Sequence, residues 1–389
     1  MTVRIITADV MDGLAQLENE SVNSVVTSPP YFGLRDYGTA LWEGGDGDCD
    51  HKQGRNGSGR ADGIVDERAQ RNRDGVGSMG GDCRKCGATR IDKQIGLEPT
   101  PDAYVAKMVE VFREVRRVLR KDGTCWLNLG DSYSAGGRGC ATAKQRSNAG
   151  TGIGVVRSAW SVPGFASKQL LGIPWRVAFA LQADGWWLRQ DIIWSKPNPM
   201  PESVTDRCTK AHEYLFLLTK SERYFFDAEA ISEPVTQSTI DRLGQPTLSS
   251  QVGSDRVPGK TNGAMKARPP RFGGTKYGDN DSPEHRTKGG KEYDVGDGRR
   301  NKRSVWTVPT QPYSEAHFAT FPPALIDPCI KAGCPKGGTV LDPFGGSGTT
   351  GMVADRLGRD SILIELNPEY AALAHRRIIE DAGMFVEMS

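Results

Sequence analysis

Val340-Leu341 runs directly into Asp342-Pro343-Phe344-Gly345-Gly346-Ser347-Gly348-Thr349-Thr350, and the reading of this stretch decides the fold. It reads as a buried strand, a glycine-rich turn and the start of a helix. Glycines let a backbone approach a ligand with no Cβ in the way. A helix beginning near Thr349 offers unpaired N–H groups at the C-terminal edge of a parallel sheet, where such folds bind nucleotides. About twenty residues further on, Glu365 follows the strand Ser361-Ile362-Leu363-Ile364 and is placed to hold the two hydroxyls of a ribose. That strand-end acid marks an adenosine-containing ligand. The spacing is neither G-x-G-x-x-G nor G-x-x-x-x-G-K-[ST], which argues against a dinucleotide and against a nucleoside triphosphate.

Around this block the chain alternates strands and helices, the pattern of a mostly parallel α/β sheet. Val3 to Ile6 reads as strand, Val10 to Leu17 as helix and Val22 to Val26 as strand, stopped by Pro29-Pro30. Thr100-Pro101-Asp102 starts a helix through Leu119 with Val105, Met108, Val109, Phe112, Val115 and Leu119 on one face. Strand follows over 124–129, helix over 173–183, and strand from Trp187 to Trp194. Tyr214–Leu218 and Tyr224–Phe226 read as a further strand pair. Pro322–Ile330, Thr349–Leu357 and Pro368–Glu380 read as helices.

Three polar stretches interrupt this pattern, over about 35–98, 134–166 and 233–303. They explain a mean hydropathy of −0.49 in a chain of 389 residues. The formal charge of +2 neither demands nor excludes nucleic acid. The chain has no apolar run long enough to span a bilayer and no charged-then-apolar leader, so the expectation is a soluble, cytoplasmic protein without a membrane partner. Eight cysteines in such a length do not make a disulfide scaffold. Four of the ligand-type residues in the first insertion do have metal spacing. Cys83-Arg84-Lys85-Cys86-Gly87 is a zinc-knuckle turn and Cys49-Asp50-His51 supplies two more ligands, so Cys49, His51, Cys83 and Cys86 form a candidate tetrahedral zinc set. A segment so poor in apolar residues needs another source of folding energy, and a structural zinc provides it.

Thr27-Ser28-Pro29-Pro30-Tyr31 closes the first strand–helix–strand unit. Ser-Pro-Pro-Tyr at a strand end resembles the signature of amino-group DNA methyltransferases, and Asp342 to Thr350 resembles their cofactor motif. With the catalytic motif first and the cofactor motif near the C-terminus, the chain resembles the beta group of that family, whose Rossmann-like fold is circularly permuted. Ile192 to Pro199 is similar to the block beside the target base, and His317-Phe318-Ala319-Thr320-Phe321-Pro322 to the segment covering the methionine end of the cofactor.

The resemblance implies transfer of a methyl group from S-adenosylmethionine to the exocyclic amino group of a base in double-stranded DNA. It implies that Ser28, Pro29, Pro30 and Tyr31 are catalytic. It assigns the cofactor to Asp9, Asp342, Phe344, Gly346, Ser347, Gly348, Thr349, Thr350, Glu365, Asn367, His317, Phe318 and Thr320. The chemistry suits these residue types. An aromatic amino group is a poor nucleophile, so Ser28 Oγ and the Pro29 carbonyl would accept its hydrogens and turn its lone pair toward the methyl. Tyr31 would stack on a base flipped out of the duplex. Serine at position 28 leans toward cytosine N4. The Phe32-Gly33-Leu34-Arg35-Asp36-Tyr37 continuation resembles phage and prophage members, for which adenine is common, and adenine N6 is the expected target ahead of cytosine N4.

The expected organisation places the catalytic motif in 1–34 and a zinc-binding insertion in 35–98. The core continues over 99–232, a target-recognition region spans 233–303, and the cofactor-binding part spans 304–389. A homodimer and a cognate restriction enzyme are further partners the family admits. Methylation of RNA or of a protein amide, and a non-catalytic DNA-binding regulator, are the rival readings. The basic 233–303 insertion with the permuted order argues against the first, and the intact motifs against the second.

Overall fold

The computed structural model describes residues 1–33, 39, 41–49, 83, 85–134, 162–238, 241, 299–311, 321–382 and 387–388. These fall into two compact units, one of 1–227 with 304–389 and one of 228–303.

The larger unit begins with β1 (Thr2–Thr7), α1 (Val10–Ala15) and β2 (Val22–Thr27). A short hairpin, β3 (Leu41–Glu43) and β4 (Thr89–Ile91), precedes α2 (Pro101–Val118) and β5 (Leu119–Leu129). Next come α3 (Ile173–Ala183), β6 (Trp187–Ser195) and β7 (His212–Thr219). The smaller unit contains β8 (Glu233–Pro234) and β9 (Arg299–Arg300). The chain then returns to the larger unit with β10 (Val305–Thr307), α4 (Pro323–Gly333) and β11 (Thr339–Asp342). It ends with α5 (Thr349–Arg356), β12 (Asp360–Glu365), α6 (Pro368–Ala382) and β13 (Glu387–Met388).

Nine strands form one sheet in the order β10-β6-β7-β5-β2-β11-β12-β1-β13. All neighbours are parallel except the two pairs that β7 makes with β5 and β6. The expected mostly parallel α/β sheet is therefore present. One side of it brings N-terminal and C-terminal strands together: β2 lies against β11, with Leu341 opposite Val25, and β1 lies between β12 and the edge strand β13.

The helix α2 shows how sequence builds the layer on this sheet. Thr100 caps it by accepting from Ala103 N at 3.2 Å, and Pro101 fixes φ in the first turn. Its buried face runs through Tyr104, Met108, Val111, Phe112, Val115 and Val118. Val105 and Val109, expected on that face, are only half-buried, so the helix is rotated slightly from its expected setting. Leu119 is already extended and opens β5, so the helix ends before Lys121-Asp122-Gly123.

Tyr224–Phe226 is not a strand. Phe226 stacks on Trp126 at 6.3 Å and Arg189 lies over the Tyr224 ring, while Phe225 N donates once to Asp122 O. The rings are used to cover the sheet rather than to alternate across a new ladder. In the smaller unit, Glu233 sits among Arg300, Lys302 and Arg303, at 3.7, 3.4 and 3.6 Å. Of the expected insertions 35–98, 134–166 and 233–303, residues 50–82, 135–161 and 242–298 lie outside the described residues.

Candidate active site

The carboxyl ends of β1, β2, β11 and β12 converge on one cleft of about 1020 Å³, measured with its open mouth. Ala8, Asp9 and Val10 enter it after β1, Ser28 and Pro30 after β2, the 342–347 turn after β11, and Glu365 and Leu366 after β12. This is the edge at which open parallel sheets bind ligands.

Asp342 is the hub of the turn. Its buried carboxylate accepts from Thr27 Oγ1 at 2.7 Å, from Thr350 Oγ1 at 2.6 Å and from Phe344 N at 3.1 Å. Burial pushes its carboxyl up to about 7, against the lowering effect of those three donors. Asp342 thus ties β11 to β2 and to the first turn of α5. Gly348 precedes α5 at φ +77, and a Cβ there would sit 2.8 Å from Ala374 Cβ. Only glycine permits both that left-handed backbone and the close approach to α6.

Arg377 on α6 completes the cradle from behind. It donates to the Ser347 carbonyl, to Ser347 Oγ and to Thr349 Oγ1, at 3.0, 2.8 and 2.9 Å. Glu365 accepts from Gly346 N and Asn367 N, each at 2.8 Å, so its carboxylate is fixed at the mouth of the glycine turn. Each carboxylate oxygen can still accept another hydrogen. Burial raises the Glu365 carboxyl above its usual value. Asp9 caps α1 through Met11 N at 3.0 Å and faces the cleft.

Of the residues expected to hold the cofactor, Asp9, Asp342, Phe344, Gly346, Ser347, Thr349 and Glu365 line the cleft. Gly348, Thr350 and Asn367 stand behind it. Thr350 braces Asp342, and Asn367 Oδ1 caps α6 through Glu369 N. His317, Phe318 and Thr320 lie outside the described residues; Phe321, just beyond them, lines the cleft.

The Ser28–Tyr31 loop is gripped from several sides. Tyr104 Oη donates to the Pro30 carbonyl at 3.0 Å, and Ser132 Oγ to the Phe32 carbonyl at 3.0 Å. Gly33 N donates to Gly96 O at 2.8 Å. Ser28 Oγ donates to Tyr31 Oη at 3.2 Å. Tyr31 Oη lies 2.7 Å from Glu213 Oε2 and 3.0 Å from Asn128 Oδ1, both acceptors for its one hydrogen. Glu213 is paired with Lys196, whose ammonium also lies 4.2 Å from the Trp194 ring centre. Burial, then the Glu213 charge, raises the Tyr31 hydroxyl well above its usual range, so it remains a protonated donor at neutral pH.

Sequence reasoning missed Glu213, Arg377 and the cleft wall formed by Thr39, Lys93, Gln94 and Ile95. The Lys196 block pointed to the neighbourhood of Glu213, since β6 pairs with β7. Nothing local marks Arg377. In the hairpin insertion, Cys49, Cys83 and Cys86 come together with their sulfurs within 4.8 Å of one another. His51 lies outside the described residues.

The DNA methylase family model matches residues 22–376, which includes both motifs and the strands that carry them. The chain belongs to the DNA methylase family. The Type II methyltransferase M.SmaI of Serratia marcescens is 36% identical over 376 residues, covering 97% of this chain and 90% of that protein. M.XycI of Xanthomonas campestris pv. cyanopsidis is 38% identical over 370 residues, covering 95% and 85%. Among solved structures, the cytosine-N4-specific PvuII DNA methyltransferase shares the fold. Its TM-score is 0.51 at 15% identity, over 100% of this chain and 95% of that one. The protein is thus an enzyme with the α/β fold of S-adenosylmethionine-dependent DNA methyltransferases, as the two motifs led one to expect.

Proposed function

We propose that this DNA methylase methylates the exocyclic amino group of a base flipped out of double-stranded DNA. The observation that carries the reading is the convergence of Ser28 and Pro30 with the 342–347 turn and Glu365 in one cleft. The glycine turn with the fixed Glu365 carboxylate fits a nucleoside ribose, and the Phe344, Ile95 and Tyr370 side chains offer apolar walls to a purine ring. S-adenosylmethionine bound there would supply an electrophilic methyl on a sulfonium.

The chain's own residues would prepare the nucleophile. Ser28 spends its hydrogen on Tyr31, which leaves its oxygen lone pairs to accept from the base amino group. Tyr104 occupies the Pro30 carbonyl, and the Pro29 carbonyl would serve as the second acceptor. Both acceptors sit on a proline-stiffened loop, so little rearrangement is required in the transition state. Alignment of this kind can supply roughly 7–11 kcal/mol of the barrier, without a strong base.

Cytosine N4 and adenine N6 are the two candidate targets. Ser28 lines the cleft and leans toward cytosine N4, whereas Phe32 and Gly33, the described residues of the Phe32 to Tyr37 continuation that leans toward adenine, do not line it. We therefore place cytosine N4 first. The 228–303 unit, where Lys and Arg are frequent, would read the target sequence and meet phosphates. A structural zinc on Cys49, Cys83 and Cys86 belongs to the same reading. So do a cytoplasmic setting, a cognate restriction enzyme and a homodimer. No helix among the described residues is long and apolar enough to cross a membrane.

The test is transfer of tritiated methyl from S-adenosylmethionine to duplex DNA, followed by nucleoside mass spectrometry. N4-methylcytosine is expected. N6-methyladenine would reverse the base assignment, and DNA without label would overturn the reading as a whole.

A further inference from the structure

The three-cysteine cluster lies outside the catalytic machinery, yet the segment it ties off leads straight into it. The turn after β3 carries Cys49, whose N–H donates to Asp46 O at 3.1 Å. The turn before β4 carries Cys83 and Cys86. Gly87 N donates to Cys83 O at 2.8 Å with Gly87 at φ +74, and Cys83 N donates back to Ala88 O at 2.6 Å. This knuckle aims two thiols to one side. Cys49 Sγ lies 3.8 Å from Cys83 Sγ. Two thiolates on one tetrahedral zinc, each at about 2.3 Å, stand about 3.8 Å apart. A disulfide would need about 2 Å. The turns are also pressed together: a Cβ on Gly45 would fall 2.7 Å from Cys86 Sγ.

A hairpin with three residues in each strand has little to hold it. Its base nevertheless has work to do. After β4, Asp92 Oδ1 accepts from Thr39 Oγ1 and from Gln94 N, each at 3.1 Å, which closes the two legs. Lys93, Gln94 and Ile95 then wall the cleft, and Gly96 O accepts from Gly33 N beside the catalytic loop.

We infer that Cys49, Cys83 and Cys86 bind a zinc ion, and that the ion acts on methyl transfer at a distance by fixing the 92–96 segment against the cofactor cleft. The second half rests on the reading of that cleft as the S-adenosylmethionine site. Three thiolates leave one tetrahedral position, and the sequence offers His51 two residues after Cys49. Metal binding contributes folding free energy, which here is spent on ordering a wall of the cleft. The two sites are therefore coupled, and coupling is reciprocal.

The test uses the full chain. Elemental analysis of protein purified without a metal-affinity tag should give one zinc per chain, and Cys83→Ser and Cys86→Ser should lose it. Calorimetry should show S-adenosylmethionine binding weakened about tenfold in the zinc-free variants, within the usual range of coupling between sites. Where a variant fails to fold, the wild type serves: S-adenosylhomocysteine should slow zinc loss to a chromogenic chelator. Wild-type protein without zinc, or with a Cys49–Cys83 disulfide by mass spectrometry, would overturn the metal site. Zinc present, with cofactor affinity and chelation rate both uncoupled from it, would overturn the action at a distance. Zinc present in a wild type that binds no cofactor would strike the reading of the cleft instead.

Discussion

Tyr31 Oη and Glu213 Oε2 are joined by a 2.7 Å hydrogen bond across 182 residues of chain. The bond is one link in a line that runs from Ser28 to Tyr31 to Glu213 and ends on the Lys196 ammonium. Each hydroxyl in the line has its hydrogen committed away from the cleft, so the Ser28 oxygen presents lone pairs. A serine hydroxyl otherwise rotates freely and could as easily present its hydrogen.

Tyr31→Phe and Glu213→Gln should therefore lower kcat on the order of 10–100-fold, the cost of a misoriented reacting group. Cofactor affinity should be unchanged, because neither residue lines the cleft. Single-turnover rates with parallel calorimetry separate the two. Loss of affinity with retained kcat would contradict the assignment.

Arg377→Met should act in the opposite way. It removes three hydrogen bonds from Ser347 and Thr349, loosening the cradle but not the Ser28 loop. Affinity for S-adenosylmethionine should fall on the order of tenfold, the worth of one or two net hydrogen bonds, with kcat at saturation kept. Equilibrium dialysis and saturating kinetics read this out.

Gly348→Ala should destabilise the protein by about 1–3 kcal/mol through its left-handed φ and the overlap with Ala374. Urea unfolding measures it. Pairing it with Ala374→Gly relieves the overlap and should recover part of the loss, leaving the backbone strain.

Asp342 makes stability depend on pH. Its carboxyl sits at about 7 in the folded protein, against an ordinary value of 3.8. Between these values the folded protein keeps a proton that the unfolded chain releases. The stability that this buried proton contributes is therefore full below about pH 4, falls as pH rises, and is gone above about 7; Glu365, also raised by burial, adds a slope of the same sign. Asp342→Asn should remove the Asp342 share of the slope and leave that of Glu365. Melting curves of both proteins at pH 5 and pH 8, without cofactor, should show the wild type losing ground to the variant at pH 8.

Most of the sheet was legible because buried strands and amphipathic helices carry periodic signals, and the cleft because two motifs mark strand ends. What escaped was set by tertiary packing. Arg377 lies on a helix face whose polar residues mostly meet water, and only the approach of α6 to the glycine turn gives it partners. Glu213 reads as an ordinary strand residue until β7 inserts antiparallel between β5 and β6 and brings it to Tyr31. Tyr224–Phe226 has strand-like composition, but its rings stack on Trp126 and under Arg189. Asn367, expected at the cofactor, caps a helix, because a side-chain carbonyl just before a helix finds an unpaired N–H there.

The interleaving of N-terminal and C-terminal strands on one side of the sheet has a consequence for synthesis. On a ribosome β1 and β2 emerge first, but both strands that flank β1, namely β12 and β13, emerge last. β2 likewise waits for β11. Until then β1 lacks both neighbours and β2, paired only with β5, carries the Ser28 loop with one edge open, an aggregation hazard that favours fast completion or chaperone cover. The same order means that the cleft, whose walls include the 342–347 turn and Glu365, forms only after β11 and β12 have emerged.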